Sequence, residues 1–458
     1  MLRALIHHWR IHLAVVAGAA VASAVLTGAL LVGDSVRGSL QDLTLARLGG
    51  IDAALVSDRF FREALADDLA AHPDFSGTVA PAVVLRGAAV HGDSGTRASG
   101  VSIHGVDDRF VALHGARESL DLSRRQGQIF PSVAISQGLA RELGATAGDN
   151  VILSFGRFSA VPRDTLMGET DVEEVLGTVR VTVVEVLPDT GLGQFGLAPS
   201  QQDVLGAYVE IGQLQRAQDL GGRVNALFLG SPAEGATPDA WLASTIQLQD
   251  LGLAVRERIG EFDLESDEFV LRPSVDEAVT KVAGDLGLSL LRVQSYLANA
   301  MHFGESLLPY SLVVAVDGTT SPGGAALTTT DSVEATLPGA REILLNEWVA
   351  EDLGIAVGDT LRMDYFAVGD REELIDRDVE LTVSGIVRID GLGNDRTLTP
   401  EYPGIQEADD LASWDPPFPV DLDLIRDKDE DYWDLYGATP KAFLSAATGE
   451  ELWATRFG

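Results

Sequence analysis

The spacing of three glycines in this chain is that of a phosphate-binding turn. Gly191, Gly193 and Gly196 form the pattern G-x-G-x-x-G after the strand-like residues 181–187. In dinucleotide-binding proteins such a turn holds a pyrophosphate at the start of a helix. Residues 197–202 carry no apolar helical stripe, so no helix is predicted to follow. The pattern therefore indicates a flexible loop between strands, and no cofactor-binding site is predicted.

Three aspartates at alternate positions, Asp427, Asp429 and Asp431, have the spacing that opens a calcium-binding loop. Such a loop needs a glycine at its sixth position and a bidentate glutamate at its twelfth. This chain has Tyr432 and Ala438 at those positions. The pattern therefore predicts a solvated acidic turn, and no metal-binding site is predicted.

The other residues that could do chemistry form no catalytic pattern. The eight histidines are dispersed, and His7, His8 and His12 cluster only where the chain approaches the predicted membrane. The sequence contains no serine-nucleophile elbow, no phosphate-binding lysine loop and no S-x-x-K motif. Because it contains no cysteine, it offers no thiol nucleophile, disulfide or thiolate ligand. We predict no catalytic residue and no enzymatic activity.

The composition limits the partners. The chain has 33 lysines and arginines against 69 aspartates and glutamates, which gives a formal net charge of −36. Such a surface repels phosphate backbones, so nucleic-acid binding is excluded as a function. A length of 458 residues is enough for two or three domains with cores of their own.

The longest apolar segment indicates a membrane protein. Residues 11–33 contain no charged side chain, and 23 residues of helix span about 35 Å. A bilayer core is about 30 Å thick, so this segment predicts a transmembrane helix. A cleaved signal peptide is the alternative, since Ala22, Ser23 and Ala24 suit a signal peptidase. The body is exported in either case.

The charges beside the segment predict its orientation. Arg3 and Arg10 precede it and Asp34 follows it, and positive flanks stay in the cytoplasm. Residues 1–10 are therefore expected in the cytoplasm, and the body in the extracytoplasmic or periplasmic space of a cell (inner) membrane protein. The small residues Gly18 and Ala22 favour close packing against other transmembrane helices.

Beyond the membrane the pattern is that of an α+β protein. The helix is expected to continue for a few turns and to end at Gly49 and Gly50. A strand at residues 53–56 and a helix at residues 59–71 are predicted next. Paired strands at residues 79–90 and 98–106 follow, joined by a polar turn.

An internal repeat divides the body. Residues 133–155 align without gaps on residues 343–365, and each copy has a helical stripe, here Ile135, Leu139 and Leu143, before a Leu-Gly-x-x-x-Gly-Asp turn into a strand. Two further blocks match in the same order, and one of them repeats the G-x-G turn at residues 391–393.

The repeat predicts two related mixed α/β extracytoplasmic modules after the transmembrane helix. The first covers residues 34–232 and the second residues 238–458, with the boundary near residues 231–238. Each module is of ordinary domain size.

The order of these blocks resembles the MacB-like periplasmic core domain of the FtsX-like family of ABC transporter permeases. The likeness lies in residues 33–37 directly after the membrane, the strand end at residues 105–107, and the Leu-Gly-x-x-x-Gly-Asp turn. The segments at residues 207–218 and 224–229 are similar to the domain's closing strand–helix–strand. The likeness covers residues 1–230, and residues 280–400 less closely.

The resemblance implies a permease subunit that works with a separate cytoplasmic ABC ATPase, where ATP is hydrolysed. Its extracytoplasmic domain would handle a substrate or transmit ATP-driven movement. Other transmembrane helices, or a second permease copy, would be partners in the membrane. Such permeases generally have further spans, so the chain is expected to be an N-terminal fragment whose second module is incomplete.

Two other functions remain open from the sequence. A single-span, membrane-anchored extracytoplasmic binding or sensory protein would have the same helix and acidic body. An exported hydrolase is the other, although no nucleophile or metal constellation supports it.

Overall fold

The computed structural model describes residues 8–115, 120–123, 127–158, 176–197, 202–230, 237–258, 260–266, 271–368, 374–399 and 421–453, and the fold is α+β. The chain divides into two compact units. The first holds the chain up to Arg157 and from Leu176 to Asp250, and the second holds Phe158–Val175 and the chain from Leu251 onward.

The first unit begins with one long helix. Its helices are α1 (Trp9–Leu48), α2 (Ala64–Ala70), α3 (Asp108–Ala112), α4 (Gln137–Leu143), α5 (Ile211–Ala217) and α6 (Pro238–Thr245), with 3₁₀ turns at Gly191–Gln194 and Leu248–Leu251. Its strands are β1 (Ala53–Arg62), β2 (Thr78–His91), β3 (Arg97–Val106), β4 (Ser132–Ser136), β5 (Asn150–Gly156), β6 (Leu176–Leu187), β7 (Gly206–Glu210) and β8 (Arg223–Gly230).

The second unit has a hairpin and six further strands. Its strands are β9 (Leu253–Arg258), β10 (Glu261–Ser266), β11 (Val293–Phe303), β12 (Ser306–Val316), β13 (Glu342–Asn346), β14 (Thr360–Val368), β15 (Leu374–Val387) and β16 (Ala442–Ser445). Its helices are α7 (Pro273–Leu286), α8 (Glu347–Leu353), α9 (Asp427–Tyr436) and α10 (Ala446–Trp453), with 3₁₀ turns at Gly391–Asn394, Arg396–Leu398 and Leu422–Leu424.

Both units contain the same six-stranded ring. In the second unit the closed barrel has the order β11-β12-β16-β13-β15-β14. In the first unit the order is β2-β3-β7-β4-β6-β5, and the ring closes because β2 also pairs with β5. The strands β8 and β1 extend the first sheet beyond β2. The repeat found in the sequence is thus a repeat of the whole barrel.

The register agrees residue by residue between the copies. Tyr208 pairs with Ala134 in the first ring, and Phe443 pairs with Leu344 in the second. Each ring has one irregularity between its parallel strands at the matching place, after Val133 and after Ile343. A bulge retained at one position in both copies is typical of a feature that the barrel needs for its curvature.

The local sequence explains why a helix follows the fourth strand of each ring. The side chains of Ser136 and Asn346 accept hydrogen bonds from the backbone N–H of Leu139 and Val349, at 3.2 and 2.9 Å. Both are N-cap residues, which satisfy a backbone donor that the first helical turn leaves free.

Glycines in the left-handed conformation end the same two helices. Gly144 has φ +67° and Gly354 has φ +66°, and each donates its backbone N–H to the preceding turn. The later Gly148 and Gly358 lead into strands β5 and β14. The predicted Leu-Gly-x-x-x-Gly-Asp turn is confirmed in both copies.

The apolar faces of the two rings form separate cores. The second ring is filled by residues such as Met301, Val313, Leu345 and Leu361, all at most 1% exposed. The first contains a cluster of aromatic side chains, described below. The predicted α+β class, with one N-terminal helix and two sheet domains, is therefore confirmed.

The expected helix at residues 59–71 is wrong in its first half. Strand β1 continues to Arg62, and α2 begins only at Ala64. Phe61 pairs with Val224 of β8 beyond an irregularity in the ladder, and its side chain is buried. Pairing with a distant strand outweighs the helical spacing of Phe61, Leu65 and Leu69.

The helical stripes of the repeat are also wrong at their first members. Ile135 and Leu345 lie in the strands β4 and β13, and their helices begin two positions later. Both side chains point into cores, as predicted, but from a strand. The caps Ser136 and Asn346 mark the change, because an N-cap residue has an extended backbone.

The acidic segment around Asp429 is a helix and not a solvated turn. Asp427 lies in the first turn of α9, and Asp429 is 2% exposed because its carboxylate accepts two charged hydrogen bonds from Arg426. Acidic side chains favour the N-terminal turn of a helix.

The helix α6 packs on the first unit. Trp241 contacts the rings of His72 and Phe75, with ring centroids 6.2 and 5.3 Å away. Asp250 is buried and accepts two hydrogen bonds from the guanidinium of Arg62. Residues 238–250, which the sequence analysis assigned to the second module, therefore contact the first unit.

The role of the left-handed glycines at the helix ends can be tested at Gly354. Because a Cβ there would meet nothing within 4 Å, Gly354→Ala isolates the backbone penalty of φ +66°. We expect the free energy of unfolding to fall by about 1–2 kcal/mol in urea titrations. Gly284→Ala, inside α7 and also in open space, is the matched control and is expected to be neutral or stabilising. Equal losses in both variants would contradict this explanation.

Candidate functional site

The side chains of residues 11–33 of α1 are exposed on every side of the helix. Among the described residues, this is the one helix long and apolar enough to cross a membrane. From residue 11 to residue 33 its exposed large apolar side chains are Ile11, Leu13, Val15, Val16, Val21, Val25, Leu26, Leu30, Leu31 and Val32. Apolar surface in water is unfavourable by about 25 cal/mol per Å², so this surface requires a hydrocarbon surrounding. It coincides with the uncharged residues 11–33.

The same helix continues without a break beyond the uncharged segment. Asp34, Arg37 and Asp42 lie in its second part, which ends at Leu48. The 40 residues make a rod of about 60 Å, of which about 22 Å lie after residue 33. The predicted continuation of the helix and its end at Gly49 are confirmed.

Backbone contacts fix the end of this rod in the first unit. We call the contacts of residues 47–52 the helix junction. Gly49 has φ +62°, and the N–H of Gly50 donates to the carbonyl of Leu113 at 2.6 Å. The N–H of Asp52 donates to the carbonyl of Leu229 at 2.8 Å, where β1 begins to pair with β8. The chain thus passes directly from the helix into the sheet.

Small residues make this close approach possible. A Cβ on Gly50 would lie 2.7 Å from the carbonyl oxygen of Leu113, and a Cβ on Gly230 would lie 2.5 Å from the carbonyl oxygen of Gly50. Both distances are too short for a side chain. The junction therefore depends on glycine at two positions far apart in the sequence.

A buried arginine lies in the last turn of the helix. Arg47 is 6% exposed, and its Nη2 donates to the carbonyl of Gln202 at 3.3 Å. A cation here is stabilised by the negative end of the helix dipole. Arg47 thereby attaches the helix to the segment before β7.

Beneath the junction lies an aromatic cluster formed by His104, Phe110, His114, Phe195, Tyr208 and Phe228. The ring centroids of Phe110 and Phe195 are 5.1 Å apart, edge to face. His104 stacks on Tyr208 at 5.1 Å. Leu113, which receives the junction hydrogen bond, and Ile51 belong to the same core. The helix end therefore lies against a buried aromatic core of the first unit.

His104 is an unusual member of this cluster. It is 3% exposed, and neither ring nitrogen has a hydrogen-bond partner among the described residues. Burial, and to a smaller degree the charge of His114, lowers the pKa of His104 from 6.5 to about 4. His104 is therefore neutral at neutral pH. The matching position in the second ring is Val314, so the barrel itself does not require a histidine.

The G-x-G turns have a structural role. Gly191–Gln194 is a 3₁₀ turn and not a flexible loop, and Leu192 is buried. The carbonyl of Leu192 accepts the hydroxyl hydrogen of Tyr208 at 2.7 Å. A Cβ on Gly193 would lie 2.0 Å from the carbonyl oxygen of Pro188. The second copy, Gly391–Asn394, forms the same turn.

The remaining predicted motifs do not come together. Among the described residues, no three His, Asp or Glu side chains are grouped so as to hold a metal ion. His12 lies exposed on α1 and His8 lies exposed directly before it, while His7 is outside the described residues. Residues 198–201, which follow the G-x-G-x-x-G pattern, are likewise outside them.

The sequence predicts the helix side of the junction but not the residues of the body that it contacts. Gly49 and Gly50 follow a long helical segment and so indicate its end. Leu113, Leu229 and Gly230 carry no such signal, because their contacts depend on pairing between distant segments.

The similarity of this chain to known proteins lies in solved structures. No protein-family model matches the chain, and no curated protein matches it significantly. Its structure is similar to the periplasmic region of MacB from Actinobacillus actinomycetemcomitans, with 11% identity, a TM-score of 0.26, and coverage of 52% of this chain and 97% of that one.

Two further solved structures are similar. One is the extracellular domain of the noncanonic ABC-type transporter YknZ from Gram-positive bacteria. It has 13% identity and a TM-score of 0.24, and the match covers 42% of this chain and 86% of that one. The other is a domain of a permease protein from Porphyromonas gingivalis. It has 12% identity and a TM-score of 0.26, and the match covers 43% of this chain and 82% of that one.

His104 predicts a pH-dependent stability. A histidine whose folded pKa lies below its unfolded value stabilises the fold fully above pH 6.5, and this stability is lost as the pH falls towards about 4. We expect a loss of about 3 kcal/mol between pH 7 and pH 4 from this group. His104→Phe should remove that part of the dependence in urea titrations. An unchanged pH dependence would contradict the assignment.

The uninterrupted helix predicts a fixed distance between the membrane and the body. The chain has no cysteine, so Val32→Cys and Ser99→Cys allow a single pair of spin labels. We expect a narrow distance distribution in pulsed electron resonance. Adding Ser39→Pro, which removes a helical hydrogen bond outside the membrane, should broaden it, whereas Ser39→Ala should not. Equally broad distributions in the labelled chain and in its Ser39→Pro and Ser39→Ala variants would refute a rigid helix.

Proposed function

We propose that this chain is the N-terminal span and extracytoplasmic part of an ABC transporter permease subunit of the FtsX/MacB type. In this role α1 carries ATP-driven movement across the cell (inner) membrane to the body, which lies in the periplasm or outside the cell. ATP is hydrolysed by a separate cytoplasmic ATPase subunit, and the chain itself has no catalytic activity.

The observation that carries the proposal is the continuity of α1. A flexible linker after residue 33 would absorb a displacement of the membrane segment. Here a helix with its backbone hydrogen bonds intact reaches Leu48 and is fixed there through Gly50 and Leu113. Translation or tilt of the span therefore moves strand β1 directly. The order of motifs in the sequence, which resembles that family, supports the same function.

Charge supports the orientation and the choice of partners. Residues 1–10 carry two arginines, while the chain as a whole has a net charge of −36. Positive flanks favour the cytoplasmic side, and an acidic body does not bind anionic lipid headgroups or nucleic acid. The body is thus suited to an aqueous extracytoplasmic space.

The membrane segment is suited to packing against other helices. Gly18, Ala22 and Ala29 leave shallow places on its surface, and nothing lies within 4 Å of a Cβ built at Gly18. Small residues allow helix backbones to approach closely in lipid. The partners are other transmembrane helices or a second permease copy.

Purification from the native host tests the proposal. We expect the tagged chain, solubilised in mild detergent, to bring with it a protein that is labelled by a photoreactive ATP analogue. In the matched control, residues 11–33 are replaced by 23 alternating leucines and alanines, which keeps the anchor but removes the native helix surface. That replacement should lose the labelled protein, because the packing surface is changed.

Repeated absence of an ATP-binding partner from the unaltered chain would refute the permease function. A single-span binding or sensory protein would then be the better assignment. Retention of the partner by the replaced span would refute the packing of α1 against other helices.

A further inference from the structure

One surface is covered in the first unit and open in the second. The strands β2 and β11 occupy the same place in the two rings, and their register can be matched. The corresponding residues Gly105 and Ala315 lie opposite Val83 in β2 and Gln294 in β11. Counting back equally along both chains, residue 79 of the first unit corresponds to residue 290 of the second.

In the first unit this end of β2 is paired and buried. The strand β8 runs antiparallel to it, with Val79 opposite Leu229, and Val79 is 2% exposed. The helix α6 covers the residues just before, since Trp241 lies edge to face on the buried ring of Phe75. One strand and one helix thus shield this end of β2 from water.

The corresponding segment of the second unit lacks this cover. Within the described chain, residues 288–292 lead into β11 and pair with no strand. Residues 289–291 make no backbone hydrogen bond to another described residue. Leu290 is 39% exposed, and Leu286, which corresponds to Phe75, is 67% exposed. Groups that the first unit buries are therefore open to solvent here.

The helix α7 extends this open surface. Its larger apolar side chains recur at helical spacing and share one face: Val275, Val279, Val282 and Leu286. Of its 14 residues, all of them described, Ala283 alone is buried. The helix at the same place before β2 is α2, and three of its seven residues are buried. A contiguous exposed apolar face of this kind is typical of an interaction site.

Both ends of the open segment are held in place. The N–H of Leu288 donates to the carbonyl of Ala283 in α7 at 2.9 Å. The N–H of Arg292 donates to Asp317 at 2.8 Å, and its guanidinium donates to Asp276 of α7 at 2.8 Å. Backbone groups that are open but fixed can accept an added strand at a low cost in conformational entropy.

The charges favour a polypeptide over a lipid surface as the occupant. The polar face of α7 carries Asp276, Glu277 and Asp285 against the single cation Lys281. Helices that lie on membranes carry mainly basic residues there, and acidic ones are repelled by anionic headgroups. An uncharged strand, such as residues 224–230 of β8, meets no such repulsion.

We propose that the open edge, formed by residues 288–292 with Val282 and Leu286, binds an apolar strand of a partner polypeptide. The strand would run antiparallel to residues 288–292, in the place that β8 takes in the first unit. It would hydrogen-bond to the open backbone groups and cover Leu290, as β8 covers Val79. This inference does not depend on the permease function.

Hydrogen exchange of the full chain in lipid nanodiscs tests the proposal. The probe is a synthetic peptide with the sequence of residues 223–230, which is that of β8, and with glutamates at both ends for solubility. We expect it to slow amide exchange in residues 288–292 at least about tenfold and saturably. The same residues in scrambled order should have no effect. Residues 78–82, which β8 already covers, are the internal control and should not change.

A substitution at the open edge tests the position of the strand. Leu290→Asp should weaken the affinity for the β8 peptide at least about tenfold, because the added strand would bury an unpaired carboxylate. Leu435→Asp, at an exposed apolar residue of α9, is the matched control and should change the affinity less than about twofold. Equal affinities of the two variants would contradict the placement of the strand.

Three results with the unaltered chain would each overturn the proposal. The first is no protection of residues 288–292, or equal protection by the β8 peptide and its scrambled form. The second is protection that rises with the concentration of the chain alone, which would assign the open edge to a second copy. The third is protection in nanodiscs without peptide that is lost in detergent micelles, which would assign it to lipid.

Discussion

A helix that is apolar on every side has to lie in hydrocarbon. The rest of this structure depends on how that helix leaves the bilayer. Inside a bilayer each backbone N–H and C=O needs a partner within the segment, so α1 cannot bend sharply or end before it reaches water. It does not end there either, because residues 34–48 continue the helix to Leu48. The first place where the chain changes direction is Gly49, at φ +62°, and Gly50 and Asp52 are hydrogen-bonded to the body directly afterwards. The first unit therefore takes its position from the membrane helix without a flexible joint.

The duplicated barrel shows which features belong to the fold and which were added to it. Both rings share strand order, one irregularity, an N-cap and a left-handed glycine. The first ring adds the strands β1 and β8 and the His104 cluster, and these features receive the membrane helix. The second ring adds Trp348, Lys441 and α9, and the amine of Lys441 lies against the rings of Trp348 and Tyr432. One scaffold thus receives the helix α1 in one copy and encloses a buried lysine in the other.

Local patterns predicted much of this fold. The strands after each Gly-Asp turn, the pair β2 and β3, and the end of α1 all follow from residues close together in the sequence. The predictions failed where a distant strand decided the outcome. Phe61 has helical spacing, but pairing with Val224 holds it in β1. The G-x-G turn was expected to be a flexible loop, yet the hydroxyl of Tyr208 and the core around Leu192 fix it.

The sequence by itself determined the membrane segment, the acidic and cysteine-free body, and the existence of a repeat, because composition and periodicity are local properties. Only the tertiary structure decided that the repeat is a closed barrel, that Leu113 receives Gly50, and that Lys441 lies between Trp348 and Tyr432. The physical reason is the same in each case. These contacts join residues that are far apart along the chain, and they form only when the six strands of a ring have closed in one register.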